Sequence, residues 1–229
     1  MKKHITSLIT LSFLVLSQMI LGQLPYSVNQ TPNPFPTDYN MDKKYNVEKT
    51  EEYKDIDGSP YLKNEFQVGL FYLKDSKIIK LPIRYNIYRD EMEYLSDGVS
   101  YVVGSPELLQ RIFFGDLEFM YLPNISKGGY FEVFETGKCT LIQKKVVEFR
   151  PSEGAKPIVG LLPAKFVRMA DVFYLLINQT QTIKISNVRS VINAFPDQKN
   201  KIESFIKQEK IKNVKKESLI KIVKYYNSL

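Results

Sequence analysis

Apolar and polar residues alternate along residues 65–95, and this pattern predicts an antiparallel meander of half-buried strands. Arg89 and Asp90 interrupt the alternation with a short polar turn, and it resumes at Met92. One face of the meander is therefore expected to be buried and the other to face water. The expected buried face carries Ile79, Leu81, Ile83, Tyr85, Ile87, Met92 and Tyr94, and the expected solvated face carries Lys80, Pro82, Arg84, Asn86, Tyr88, Glu91 and Glu93.

Further short strands are predicted as far as Ile185. Ser96-Asp97-Gly98, Gly115-Asp116 and Thr136-Gly137-Lys138 are typical hairpin turns between them. Because proline has no N–H to donate, Pro82 predicts that its strand is at a sheet edge or bulged. Residues 150–163 carry three prolines and predict a stiff crossover loop, with a binding loop as the alternative.

Three amphipathic helices are predicted to close the chain. Ser186-Asn187 can cap a helix that runs to Phe195, and Pro196-Asp197 ends it and starts a second helix. A third begins at about Lys215. Strands followed by helices are typical of an α+β fold, here mainly an antiparallel β-sheet meander followed by C-terminal helices. The apolar stripes, expected to face a sheet or each other, are Ile202, Phe205 and Ile206 on the second helix and Leu219, Ile222, Val223 and Tyr226 on the third.

The amino terminus has the pattern of a cleavable signal peptide over residues 1–22. Lys2 and Lys3 precede an apolar stretch, and Gly22 supplies a small residue at the cleavage point. A membrane anchor is the alternative, but the apolar stretch is shorter than the ~20 strongly apolar residues that a spanning helix needs. We therefore predict export to the periplasm or outside the cell, with no membrane span after cleavage.

Four regions follow from these patterns. After the signal peptide, residues 23–60 are rich first in Pro, Asn, Ser and Thr and then in mixed charges, which predicts a flexible leader. Within it, residues 53–58 resemble part of a calcium loop but lack its first and twelfth carboxylates, so a polar turn is predicted. Residues 61–185 form the antiparallel β region, and residues 186–229 form basic helices that pack on it.

The residue inventory excludes several chemistries. His4 is the only histidine and would leave with the signal peptide, which excludes histidine-dependent triads and zinc sites from the mature chain. Cys139 is the only cysteine and lies in an alternating strand, so a buried structural role is expected, with a nucleophile as the alternative. The sequence thus offers no catalytic residue, metal ligand or cofactor-binding residue, and we predict no cofactor.

Positive charge is concentrated at the carboxyl end. Residues 199–229 carry nine lysines against three acidic residues, whereas the full chain has a net charge of +7. A basic helical surface suits an anionic envelope component, and a solvated face is the alternative. An unknown envelope protein is the other candidate partner, and export argues against nucleic acid.

Three segments carry a resemblance to a known group of proteins. They are residues 58–62 (GSPYL), 81–88 (LPIRYNIY) and 219–229 (LIKIVKYYNSL). Together they resemble a group of exported, uncharacterised proteins of Bacteroidota. The resemblance implies export and one continuous domain from about Tyr61 to the end, and it supplies no catalytic residues.

Two functions of different classes remain. The first is an exported, non-catalytic envelope or secreted binding or structural protein of unknown ligand. The second is a carboxylate-based glycoside hydrolase, because that chemistry needs only an acid and a base or nucleophile. Its candidates on predicted strands are Glu91, Glu93, Glu132 and Glu135.

Overall fold

The computed structural model of the protein describes residues 53–125, 128–156 and 160–229, so the predicted signal peptide and most of the predicted leader lie outside them. Strands occupy most of the described residues before position 186, and helices occupy most of those after it. The helices are α1 Val188–Ala194, α2 Lys199–Gln208 and α3 Lys216–Ser228. The strands are β1 Gln67–Leu73, β2 Ile78–Asn86, β3 Glu91–Ser96, β4 Val99–Val102, β5 Leu109–Phe114, β6 Leu117–Tyr121, β7 Tyr130–Glu135, β8 Cys139–Lys144, β9 Val147–Arg150, β10 Glu153–Lys156, β11 Gly160–Leu162, β12 Lys165–Arg168, β13 Val172–Ile177 and β14 Gln181–Ile185.

Ten strands form one antiparallel sheet in the order β14-β13-β8-β7-β6-β5-β1-β2-β3-β4. This architecture confirms the predicted α+β class with a mainly antiparallel sheet followed by helices. The hairpin turn at residues 96–98 is confirmed, with Asp97 and Gly98 both at positive φ (50° and 74°) as a type I′ turn requires. The prediction for Pro82 is wrong, since β2 lies inside the sheet. The proline sits just before Ile83, where pairing with β3 starts.

The second half of the β2 face that was expected to meet water is buried, whereas Lys80 on its first half is exposed. Arg84 and Asn86 are almost fully buried, as is Glu93 opposite them on β3. The reason is a covering segment: the guanidinium of Arg84 lies 3.9 Å from the ring centre of Tyr61 and 4.3 Å from that of Phe66. Arg84 also donates to Glu93 at 2.6 Å. A buried charge needs such a partner, and strand alternation does not reveal it.

The end of the predicted flexible leader is packed on the folded domain. Asp57 exchanges backbone hydrogen bonds with β12, accepting from the N–H of Phe166 at 2.7 Å and donating to the carbonyl of Ala164 at 3.1 Å. The ring of Tyr53 meets that of Phe166 edge to face at 5.2 Å. The described part of the fold therefore includes residues 53–60, which lie inside the predicted leader. The apolar residues that hold this segment stand singly among charged residues, so the sequence pattern did not indicate that the segment is packed.

The predicted crossover loop at residues 150–163 contains a β ribbon. Strands β9 and β12 pair antiparallel, and β10 and β11 pair beyond them. The ribbon leaves the main sheet after β8, and its Val147 and Phe166 join the first apolar core. That core is formed by the concave side of β1–β3 and β5–β7.

A second core lies between the sheet and the three helices. Every residue of the predicted stripe on α3 is buried there, together with Ile202 and Ile206 of α2. The predicted cap of α1 is confirmed: the side chain of Asn187 accepts from the N–H of Ser190 at 2.9 Å, and the Ser190 side chain completes a capping box. The α3 stripe packs on β8 and β7, whereas α2 packs on α3 and α1.

The last turn of α3 is tied to the first residue of β8. The side chain of Asn227 accepts from the N–H of Cys139 at 2.8 Å and donates to the carbonyl of Cys139 at 2.9 Å. A side chain at position 137 would overlap the side-chain amide of Asn227, so the β7–β8 turn requires a glycine there. Asn227 thus provides partners for both the N–H and the carbonyl of Cys139.

Within residues 53–125, 128–156 and 160–229, the helices are all too short or too polar to cross a bilayer. This agrees with the predicted lack of a span in that part of the chain.

Candidate functional site

The turn between β2 and β3 brings together distant parts of the sheet. Asp90 adopts a left-handed conformation (φ 56°), which aspartate tolerates better than most residues. Its carboxylate accepts from the Tyr85 hydroxyl at 2.6 Å, from the Tyr130 N–H at 3.2 Å and from the Lys144 ammonium at 2.5 Å. The β2–β3 turn is therefore bonded to both β7 and β8.

These contacts require the sheet to curl strongly. Strands β2 and β7 are separated by β1, β5 and β6, so in a flat sheet they would be about 19 Å apart at the usual strand spacing. The Asp90 carboxylate nevertheless reaches the Tyr130 N–H. Curling places the loops at one end of the strands around a shared opening.

The ammonium group of Lys144 has a complete set of partners within the protein. Besides Asp90, it donates to the Tyr130 carbonyl at 3.2 Å, and it lies 4.9 Å from the centre of the Phe131 ring. Burial lowers the pKa of Lys144, and the Asp90 carboxylate opposes this shift. A carboxylate, a carbonyl and an aromatic face are the groups that stabilise a partly desolvated ammonium.

Glycine is required beside this ion pair. Gly129 has a φ of 129°, and a Cβ at this position would overlap both the Asp90 carboxylate and the Lys144 ammonium. The backbone of the β6–β7 connection can approach the pair only because residue 129 has no side chain.

The pair lies in the wall of a cleft of about 1020 Å³. Its rim is formed by three connections: the β2–β3 turn, the segment after β4 and the segment before β7. Two strands also contribute side chains, Lys144 from β8 and Tyr174 from β13. Its volume is close to the upper end of the ~300–1,000 Å³ common for small-molecule sites. Three carboxylates line it, from Asp90, Glu91 and Glu107, and two basic groups, from Arg89 and Lys144.

Tyr121, Tyr130, Phe131 and Tyr174 form the aromatic lining of the cleft, and the first two are called its tyrosine wall below. Tyr130 is only 2% exposed, and its ring meets those of Tyr121 and Tyr85 at 5.2 and 5.9 Å. The Tyr130 hydroxyl has no hydrogen-bond partner among the described residues. Burial, and then the charge of Asp90, raise the pKa of both Tyr121 and Tyr130, with Glu107 acting in the same direction. The tyrosine wall therefore lies in a negative environment.

The four glutamates proposed for glycoside hydrolysis are not gathered in one place. Glu93 is paired with Arg84 at 2.6 Å, Glu132 forms an ion pair with Lys145, and the Glu135 carboxylate lies 3.7 Å from the Lys224 ammonium. Only Glu91 lines the cleft.

Sequence reasoning missed the residues that build this cleft. It identified Asp90 only as a turn residue and assigned no functional role to Lys144. The two are 54 positions apart, and a single sequence carries no signal that joins them. The Gly128-Gly129 pair was a local sequence signal for an unusual backbone, and both glycines do have positive φ.

The fold and the cleft define an α+β protein with a curled antiparallel sheet, three helices over one end and a loop-lined opening. No protein-family model, curated protein or solved structure matches this chain. The resemblance to exported proteins of Bacteroidota therefore stays a prediction.

Proposed function

We propose that the protein is an exported, non-catalytic binding protein that holds a small polar ligand in the cleft beside Asp90 and Lys144. The observation that carries this proposal is the bonding of Asp90 to both β7 and β8. Because that network fixes the walls, the cleft is preformed and a ligand need not order it on binding.

The distribution of glutamates supports binding over catalysis. Three of the four candidates for a hydrolase are held in ion pairs outside the cleft, where an acid or base could not reach a bound ligand. The Cys139 thiol is buried, and burial raises its pKa to about 12, which disfavours the thiolate form that a nucleophile needs.

A direct test uses ¹⁵N-labelled mature protein, residues 23–229, titrated with the small-molecule fraction of envelope extract from its source. Amide shifts confined to Asp90, Gly104 and Tyr130 are expected. Ser105→Trp places a large ring in the cleft and should abolish them, whereas Ser96→Trp in the β3–β4 turn should not. If the extract produces no shifts in the cleft, or if S105W leaves them unchanged, the proposal is wrong.

Glycoside hydrolysis remains a second candidate because Glu91 and Glu107 line the same cleft. Two carboxylates are the minimum this chemistry requires. A panel of nitrophenyl glycosides tests it: turnover that is lost in both Glu91→Gln and Glu107→Gln, but kept in Glu148→Gln, would favour the hydrolase. Complete lack of turnover across the panel would favour binding.

An anionic envelope component is proposed as a partner for the basic helical end. Lys207, Lys210, Lys212 and Lys215 are all exposed at the α2–α3 connection, and they form no ion pair among the described residues. Such a patch attracts polyanions over about a Debye length.

Charge neutralisation tests this partner better than truncation, because removing residues 199–229 would expose the apolar side chains of the second core. We expect the Gln variant at all four lysines to lose retention on vesicles with an anionic lipid and on anionic envelope polysaccharide. Lys80→Gln and Lys184→Gln, both at exposed positions of the β region, serve as controls. Retention of the fourfold variant equal to that of the wild-type protein would contradict the proposal.

A further inference from the structure

The outer face of the sheet carries apolar side chains that belong to none of the cores. On β1 and β5, residues alternate between the concave side, where Phe71 and Ile112 are fully buried, and the outer side, where Leu70 and Phe113 are only half-buried. Val68, also on the outer side, is 61% exposed, the largest value for a large apolar residue in the described chain. The group, called the outer patch below, consists of Val68, Leu70 and Tyr72 of β1, Ile78 and Pro82 of β2, and Phe113 of β5.

The outer patch is continuous across three neighbouring strands. Leu70 lies opposite Phe113, and the ring of Phe113 meets that of Tyr72 edge to face at 5.2 Å. The helices pack on β7, β8 and β14, in another part of the sheet. A contiguous apolar surface that the fold leaves partly exposed is typical of a protein–protein contact.

One row of residues across the patch has opposite charges at its two ends. The register of four adjacent strands places Lys80, Leu70, Phe113 and Glu118 side by side. At the usual strand spacing, the two charged residues are about 14 Å apart. Arg111 donates to the Glu118 carboxylate at 2.7 Å, and both side chains are 29% exposed, so the carboxylate can accept from a second donor.

This order of residues is complementary to itself under a two-fold rotation. In a second copy packed face to face, with the rotation axis parallel to the strands and between β1 and β5, Lys80 of each copy lies opposite Glu118 of the other. Leu70 of each copy then lies opposite Phe113 of the other, as an isologous interface requires. The same axis keeps the strands of the two sheets nearly aligned, which is a common arrangement of packed sheets. A row with the same charge at both ends would instead bring like charges together.

From this arrangement we infer that the outer patch is the contact surface of a symmetric dimer, in which a second copy of the chain is bound through two Lys80–Glu118 ion pairs and the apolar side chains between them. The patch and the cleft have no residue in common, so the inference does not depend on the proposed function. Four strands and three rows of side chains cover roughly 400 Å², about half of the area per partner in a standard interface, so the association should be weak.

Sedimentation equilibrium of the mature protein, residues 23–229, measures this association. We expect the apparent mass to rise toward twice the monomer mass as the concentration increases from about 10 µM to about 1 mM. Leu70→Glu places a carboxylate in the middle of each patch and should keep the protein monomeric over this range. Lys184→Glu, at an exposed position of β14, is the control and should associate like the wild-type protein. Circular dichroism checks that both variants fold.

Exchange of the two charges tests which residues face each other. Lys80→Glu leaves two carboxylates on each patch, and Glu118→Lys leaves two ammonium groups, so each variant alone should dimerise at least about tenfold more weakly than the wild-type protein. An equimolar mixture of the two variants should form a heterodimer, because opposite charges then meet at both positions. Sedimentation velocity with a fluorophore on only one variant detects it. The double variant K80E/E118K should dimerise like the wild-type protein.

Three results would overturn the inference. A wild-type protein that stays monomeric up to about 1 mM would leave the patch to solvent or to a different partner. Dimers that persist in Leu70→Glu would be formed through another surface. If the wild-type protein dimerises but the mixture of Lys80→Glu and Glu118→Lys does not, these two residues do not face each other. The proposal for the cleft stands in each of these cases.

Discussion

Gly129 lies so close to Asp90 that any side chain at position 129 would overlap the Asp90 carboxylate. The close approach allows the Tyr130 N–H, one residue further on, to donate to the same carboxylate at 3.2 Å. A backbone without a Cβ is thus a condition for the network that fixes the cleft.

Gly129→Ala should destabilise the protein by about 3 kcal/mol, because it adds backbone strain at positive φ and displaces a partly buried ion pair. Urea unfolding measures this change. Gly98→Ala is the matched control, since Gly98 also has positive φ (74°) but has open space around it. Gly98→Ala should lower the free energy of unfolding by only about 1 kcal/mol, because it adds backbone strain at positive φ without a steric overlap. Equal losses in the two variants would mean that residue 129 makes no essential approach to Asp90.

Glu93→Gln should cost about 3–5 kcal/mol, because it leaves the charge of Arg84 buried without its counter-ion. The matched control is Glu209→Gln, which removes the partner of Lys221 in an exposed pair and should cost less than about 0.5 kcal/mol. Chemical denaturation of both variants gives the comparison. A loss below 1 kcal/mol for Glu93→Gln would show that solvent reaches Arg84 through the segment around Tyr61.

Stability should fall as the pH rises above 10, because buried tyrosines stay protonated in the folded protein and ionise on unfolding. Burial raises the pKa of Tyr94 to about 12 and that of Tyr85 well above its usual value. Between pH 10 and 12 the folded state thus holds more protons than the unfolded state. Each such tyrosine lowers the free energy of unfolding by about 1.4 kcal/mol per pH unit in that range.

Tyr94→Phe checks this prediction. The variant should show a shallower loss of stability between pH 10 and 12, measured by urea unfolding at several pH values. Its unfolding free energy at pH 7, where tyrosine is protonated in both states, provides the baseline. An unchanged slope above pH 10 would mean that Tyr94 ionises equally in the folded and unfolded states.

Lys210→Gly should stabilise the protein by about 0.5–1 kcal/mol. Lys210 has a φ of 53° just past the end of α2. Its N–H donates to the Lys207 carbonyl and the next N–H, of Ile211, to the Ile206 carbonyl, the two bonds of a Schellman motif. Glycine adopts this conformation without strain. Lys207→Gly, inside the helix, removes the same charge and should destabilise by about the same amount, so thermal unfolding of the two variants should move in opposite directions.

Local patterns were sufficient to predict the helices and most turns. The apolar stripe on α3, the Asn187 cap and the Asp97-Gly98 turn each depend on a few neighbouring residues, so their signals lie within one stretch of sequence. Burial of Arg84 could not be predicted in this way. It depends on Tyr61 and Phe66, which cover the strand from outside the alternating pattern.

The cleft was beyond sequence reasoning for a related reason. It exists only because the sheet curls enough for Asp90 to reach Lys144, and curvature is a property of all the intervening strands together. Proline content also misled the prediction for residues 150–163, where β10 and β11 pair in a ribbon. Short strands with little alternation give a weak signal.

The hydrogen bonds between Asn227 and Cys139 set an order in which the two cores of the protein can form. The first core needs nothing after residue 168, so it can be assembled while the chain is still emerging from a ribosome or a translocation channel. The second core needs α3, and the amide that secures β8 lies 88 residues further along. Until α3 is released, the apolar residues of β8 lack the cover that α3 gives them, so we expect this part of the sheet to stay exposed until the end of synthesis.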